Sequence, residues 1–165
     1  MTPLPFRWLG DGFEPLRPRL ADKQYIVDAV YNLVPVEDRS AASHNHYFAC
    51  IAEAWANLPE EKAERWPSAE HLRKYALIQA GYRDERSIVA ASKAEAQRLA
   101  AFIKPMDDFA VVLISDATVK VYTAKSQSFK AMGRKAFEES KARVLEFVAS
   151  VLGVTVDELG KARAA

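Results

Sequence analysis

The chain has 165 residues, a formal net charge of +1 and a composition that is 50% hydrophobic and 27% charged. That is enough chain for one substantial core and an ordinary globular balance, so it is read as a single domain over 1–165 and not as a disordered or fibrous chain. The near-neutral total excludes any argument for a partner from overall charge. A single cysteine, Cys50, excludes an intrachain disulfide and suits a reducing cytoplasm.

The first elements read as β structure. Phe6-Arg7-Trp8-Leu9 and Phe13-Glu14-Pro15-Leu16 flank Gly10-Asp11-Gly12, the pattern of a hairpin around a tight reversal, with Pro15 on its edge. No basic segment followed by an apolar stretch marks a signal peptide, and no apolar run has the length of a membrane span. From Lys23 to Val34 apolar residues alternate along the chain, which predicts a strand ended by Pro35, although both faces carry apolar residues and a short helix is the alternative. Ser43 is placed to cap a helix running from about His44 to Asn57, with Tyr47, Phe48, Ile51 and Trp55 on its apolar side. Pro67-Ser68 opens another helix, with Leu72, Tyr75, Ala76 and Gln79 inward and Gly81 beyond its end. A short strand is expected near 87–91.

The remaining elements are marked more sharply. Ser92-Lys93-Ala94-Glu95 is a capping box, and the helix that it opens ends before Pro105 with Leu99, Phe102 and Ile103 inward. Residues 109–124 read as a strand pair. The first, Phe109–Ile114, is apolar throughout and fits burial on both faces; the second, Val119–Ala124, alternates. Phe137, Val144, Leu145, Val148, Val151 and Leu152 then recur at helical spacing and form one face of a long helix ended by Gly153. Thr155-Val156-Asp157-Glu158 is a second capping box. The expected fold is α+β: a small, mostly antiparallel sheet packed with about four to five helices.

Chemistry-bearing residues are sparse. His44 and His46 lie two apart, a spacing that sends them in different directions on a helix, and His71 stands alone. No nucleophile elbow and no phosphate-binding glycine loop is present, so no catalytic residue, no metal ligand and no cofactor is assigned. The roles of His44, His46 and His71 stay open.

The polar junction after the second strand of the pair stands out. Between Thr118 and Arg143 seven basic residues face two acids. Ser126 and Ser128 precede the long helix, whose N-terminal N–H groups and dipole attract anions. Lys125, Lys130, Arg134 and Lys135 add positive charge, and Phe129 is able to stack on a base. Cations that displace counterions and hydroxyls that position a phosphate are what binding to a nucleic-acid backbone needs. A capped helix with solvated lysines and a core Phe129 is the competing explanation.

Arg39-Ser40, followed by His44-Asn45-His46-Tyr47-Phe48-Ala49-Cys50-Ile51, resembles the Orf (NinB) recombination-mediator family of lambdoid phages. That family has an Arg-Ser pair, then Gln-Asn, then an aromatic-Ala-Cys-aliphatic helix start. The likeness recurs at Ser126-x-Ser128-x-x-x-Met132, with Phe137 in a long helix that ends at Gly153-Val154. It covers about 39–58 and 119–154. His44 stands where the family has glutamine, the spacing after Arg39-Ser40 is one residue longer, and the hairpin and the 83–105 region have no clear counterpart. An allied prophage family of unassigned function is therefore the alternative. The resemblance implies a non-enzymatic homodimer that binds single-stranded DNA and cooperates with single-strand-binding protein in phage recombination. Matched motif positions carry over to Arg39, Ser40, Asn45, Ser126 and Ser128; the basic residues come from the charge argument. Two other classes stay open: a protein-protein interaction module, in which exposed aromatics such as Trp8, Tyr31 and Trp66 matter, and a small metal-dependent hydrolase or nuclease.

Overall fold

The computed structural model describes residues 4–34, 41–128 and 130–161. The chain divides into two compact units, residues 1–38 and 39–165. The architecture is α+β, with a two-stranded and a three-stranded antiparallel sheet among the described residues. None of the described helices is long and apolar enough to cross a membrane.

In the first unit, strands β1 (Phe6–Trp8) and β2 (Phe13–Pro15) form the expected hairpin, with Arg7 opposite Glu14 and Trp8 opposite Phe13. The Leu9 N–H donates to the Gly12 carbonyl at 2.9 Å and closes the turn. The strand expected at 23–34 is not formed. Pro18 at the helix start, with its preset φ and no N–H to satisfy, instead opens a short helix, α1 (Pro18–Gln24). Beyond it Asp28 adopts φ +64°, a left-handed turn that extended alternation cannot absorb. Side-chain alternation was misleading there because both faces of the segment are apolar.

The second unit is built on a helical core. Helices α2 (Ala41–Ala56), α4 (Ala69–Gln79) and α6 (Arg134–Leu152) pack on one another, with α3 (Glu60–Ala63) between the first two and α7 (Val156–Lys161) closing the chain. Tyr47, Ile51, Leu72, Leu77, Phe137, Val144 and Val148 are fully buried among them. Each such side chain contributes on the order of 2 kcal/mol through removal from water. The inward faces differ in detail from the expected ones. Phe48 and Gln79 are exposed, and Cys50, Ala54, Leu77 and Ile78 take the core positions. Trp66 is buried, so it is not a surface aromatic. Helix α2 begins before Ser43, whose hydroxyl is not its cap; it accepts from Lys141 Nζ at 2.7 Å and donates to Glu138 at 3.2 Å on α6.

Ends of helices follow local chemistry. Ser68 and Ser92 accept from the N–H groups of His71 and Glu95, and Glu95 returns a bond to the Ala91 N–H. Thr155 and Glu158 make the second capping box, and the Thr155 N–H holds the Glu158 carboxyl below its ordinary value. Gly153, at φ +71°, stops α6 with two bonds back into its last turn, from its own N–H to Ser150 and from the Val154 N–H to Ala149.

The three-stranded sheet has the order β3-β5-β4, from β3 (Arg83–Val89), β4 (Val111–Ser115) and β5 (Thr118–Ala124). Val119 of β5 pairs with Ile88 on one side and Ile114 on the other. Helix α5 (Lys93–Ile103) covers this face with Ala96 and Ala100, and Leu99 and Ile103 are partly buried beside them. Phe102 is 71% exposed and is not a core contact. Strand β4 is an edge strand covered on one face only, so its expected burial on both faces does not hold: Leu113 is 52% exposed. At the far end of β5, Ala124 packs on the helical core. The chain thus passes from the sheet into residues 125–133 and then α6.

Candidate nucleic-acid interface

The junction is held at both ends by backbone and in the middle by a buried side chain. The Lys125 N–H donates to the Tyr82 carbonyl at 2.9 Å and extends the β3–β5 ladder by one bond. Ser126 Oγ accepts from the Ser128 N–H at 3.2 Å, and Ser128 Oγ accepts from the Ala131 N–H at 3.3 Å. These two serines therefore shape the turn itself. Between them Gln127 points inward and is only 7% exposed. Its Oε1 accepts from Tyr47 Oη at 3.0 Å and from Arg73 at 2.5 Å, and its Nε2 donates to Ser140 Oγ at 2.7 Å. Ser140 in turn donates to the Phe137 carbonyl at 2.8 Å. One glutamine thus ties the junction to α2, α4 and α6.

The charges in this network are balanced internally. Arg73, 8% exposed, donates twice to Glu70, at 2.5 and 2.8 Å. The Arg73 hydrogen bonds hold the Glu70 carboxyl below the usual glutamate value against the opposing effect of burial. Burial disfavours the Arg73 cation, yet the bonds and charge of Glu70 more than offset it and keep the guanidinium above its ordinary value. Burial pushes the Tyr47 phenol up. Arg73 is therefore a neutralised core residue.

Outside the network the junction is basic. Lys125, Lys130, Arg134 and Lys135 are all exposed. Lys125, Lys130 and Lys135 make no ion pair with any described residue. Helix α6 starts at Gly133 without a side-chain cap and with no acid in its first turn. Arg134 and Lys135 instead occupy that turn. Cations beside the positive end of a helix dipole are unfavourable by themselves, and an anion there relieves both.

The sequence-predicted residues divide as follows. Lys125, Ser126, Ser128, Lys130, Arg134 and Lys135 are each exposed and lie close in the chain, within residues 125–135. Asn45 is exposed on α2, next to Ser43 and His44, which touch Glu138, Lys141 and Phe137 of α6. Arg39, Ser40 and Phe129 lie outside the described residues. Gln127 was not picked out from sequence: a glutamine among serines and lysines reads as solvated, and its partners Tyr47 and Arg73 are remote in the chain.

The histidines do not converge. His44 stacks on Phe137 with ring centroids 5.8 Å apart, His46 lies 3.6 Å from Cys50 Sγ, and His71 contacts Ser68 Oγ at 2.7 Å and the Phe109 ring. Among the described residues no group of three or more His, Cys, Asp or Glu is placed to hold a metal ion. Comparison with protein-family models, curated proteins and solved structures returns no match.

Proposed function

We propose that this protein binds single-stranded nucleic acid, by preference DNA, through the junction between β5 and α6, as a non-enzymatic accessory factor of phage or prophage recombination. The observation that carries the reading is the run of exposed cations, Lys125, Lys130, Arg134 and Lys135, around an uncapped helix start on a turn tied down by Gln127. A chain with repeating phosphates satisfies cations and helix N–H groups together, without base-specific contacts. Ser126 and Ser128 fix the turn through their hydroxyl oxygens. The recombination role, the homodimer and cooperation with single-strand-binding protein rest on the Orf-like resemblance.

The test is fluorescence anisotropy of a labelled single-stranded oligonucleotide at two salt concentrations, with duplex as competitor. Salt-sensitive binding that prefers the single strand is expected. Lys130→Glu combined with Arg134→Glu weakens it and reduces the magnitude of the salt slope by roughly 1.4, from two lost phosphate contacts at about 0.7 each. Unchanged affinity in the double variant refutes this site, and no binding at low salt refutes the reading.

A second reading is favoured by the first unit, where Trp8 is 58% exposed and Phe13, Ile26, Val27 and Val30 are also exposed. Apolar surface of this kind fits a protein partner. Capture of a partner from nuclease-treated extract, lost on Trp8→Ser, supports that reading.

A further inference from the structure

Within the first unit an open groove of about 350 Å³ lies between α1 and the segment that follows it, with Ile26, Tyr31 and Leu33 of its lining partly exposed to solvent. Its walls include the rings of Phe6, Tyr25 and Tyr31, the aliphatic side chains of Ile26 and Leu33, and one carboxylate, Asp22. The Phe6 and Tyr25 rings lie 5.8 Å apart at 63°, and the Tyr25 and Tyr31 rings 5.0 Å apart at 78°. Their π-surfaces are therefore turned in different directions around one space. Tyr31 Oη accepts from the Ile26 N–H at 2.9 Å, and the Ala29 N–H bonds the Ile26 carbonyl at 3.2 Å. The loop carrying Tyr31 is thereby closed back on its own start.

Among the described residues that line this groove Asp22 alone carries a charge, and it makes no ion pair with any described residue. Ring faces bear the negative end of the aromatic quadrupole and attract cations, most strongly cations that shed water readily. A carboxylate at the same groove adds attraction of the same sign. The aliphatic walls disfavour a strongly hydrated ion such as sodium and favour one sheathed in methyl groups. The volume lies at the lower end of the range for small-ligand sites.

We propose that this groove binds an organic ammonium cation of the quaternary or methylated-amine class, with the cationic centre among Phe6, Tyr25 and Tyr31 and Asp22 as its counter-charge. The site stands apart from the nucleic-acid reading and does not depend on it.

The experiment is calorimetric titration of the full chain with choline and, separately, with 3,3-dimethylbutan-1-ol, the neutral isostere in which carbon replaces the cationic nitrogen. Choline is expected to bind at least roughly fivefold more tightly. In Asp22→Asn, a substitution at an exposed position, the preference shrinks. Equal affinity for the two probes overturns the cage, as does failure of both to bind at millimolar concentration. A preference unchanged in Asp22→Asn overturns the assignment of the groove. A peptide carrying one trimethyllysine separates the sources: tighter binding than choline assigns a protein-borne cation, and equal or weaker binding a free small molecule.

Discussion

Gln127 offers a quantitative test of how the junction is held. Replacement by leucine preserves an apolar stem of similar bulk and removes the amide. Tyr47 Oη and one Arg73 N–H then lose the acceptor they share, and Ser140 loses a donor. A buried donor left without a partner costs about 1–3 kcal/mol. Arg73 keeps both bonds to Glu70, and Ser140 keeps its bond to the Phe137 carbonyl, so the two stranded donors set the loss at roughly 3 kcal/mol. For a chain of this size that lowers Tm by roughly 6–12 °C. Urea denaturation of the wild type, Gln127→Leu, Tyr47→Phe and the double variant measures it. Tyr47→Phe alone is expected to cost about 1 kcal/mol. In the Gln127→Leu background the same change is expected to be neutral or stabilising, because it removes a hydroxyl that no longer has an acceptor. A loss under about 1 kcal/mol in Gln127→Leu, or additive effects in the double variant, refutes the network as a structural tie.

Two further outcomes follow from the geometry. Glu70 has a depressed folded pKa, so its pairing with Arg73 stabilises the fold above the ordinary glutamate value, and that stabilisation is lost as pH falls from there through the folded value; acid denaturation of Glu70→Gln is expected to lack this component, and identical pH profiles for variant and wild type contradict it. Gly153 sits at φ +71° with open space around its Cβ position, so Gly153→Ala costs about 1 kcal/mol from backbone strain alone, measured by urea midpoint, with Gly153→Asn costing less.

The parts of the fold governed by local chemistry were legible in the sequence. The capping boxes at Ser92 and Thr155 and the 3.6-residue spacing from Phe137 to Leu152 each specify an element with residues close in the chain. The 23–34 segment was misread because its alternation is apolar on both faces, and Pro18 and Asp28 decide its path instead. Inward faces were legible only in outline. Phe48 and Phe102 have the right spacing for burial, but the buried positions of their helices are taken by small residues, Ala54, Ala96 and Ala100. The basic stretch at 125–135 was legible because it is contiguous. Its anchor was not, because Gln127 becomes a core residue only when α2, α4 and α6 meet around it.

The strand order of the larger sheet bears on how it is assembled. Its middle strand, β5, is the last of the three in sequence. Only β4 and β5 are joined by a short turn, so this hairpin can close locally and early. The β3–β5 ladder must close a loop that contains all of α5 and β4, at a larger loss of chain entropy. In the folded sheet α5 covers one face with Ala96 and Ala100 packed on Val119. Until β3 pairs, both sides of the hairpin present unpaired backbone, and the apolar β4 is the side with no further strand partner among the described residues.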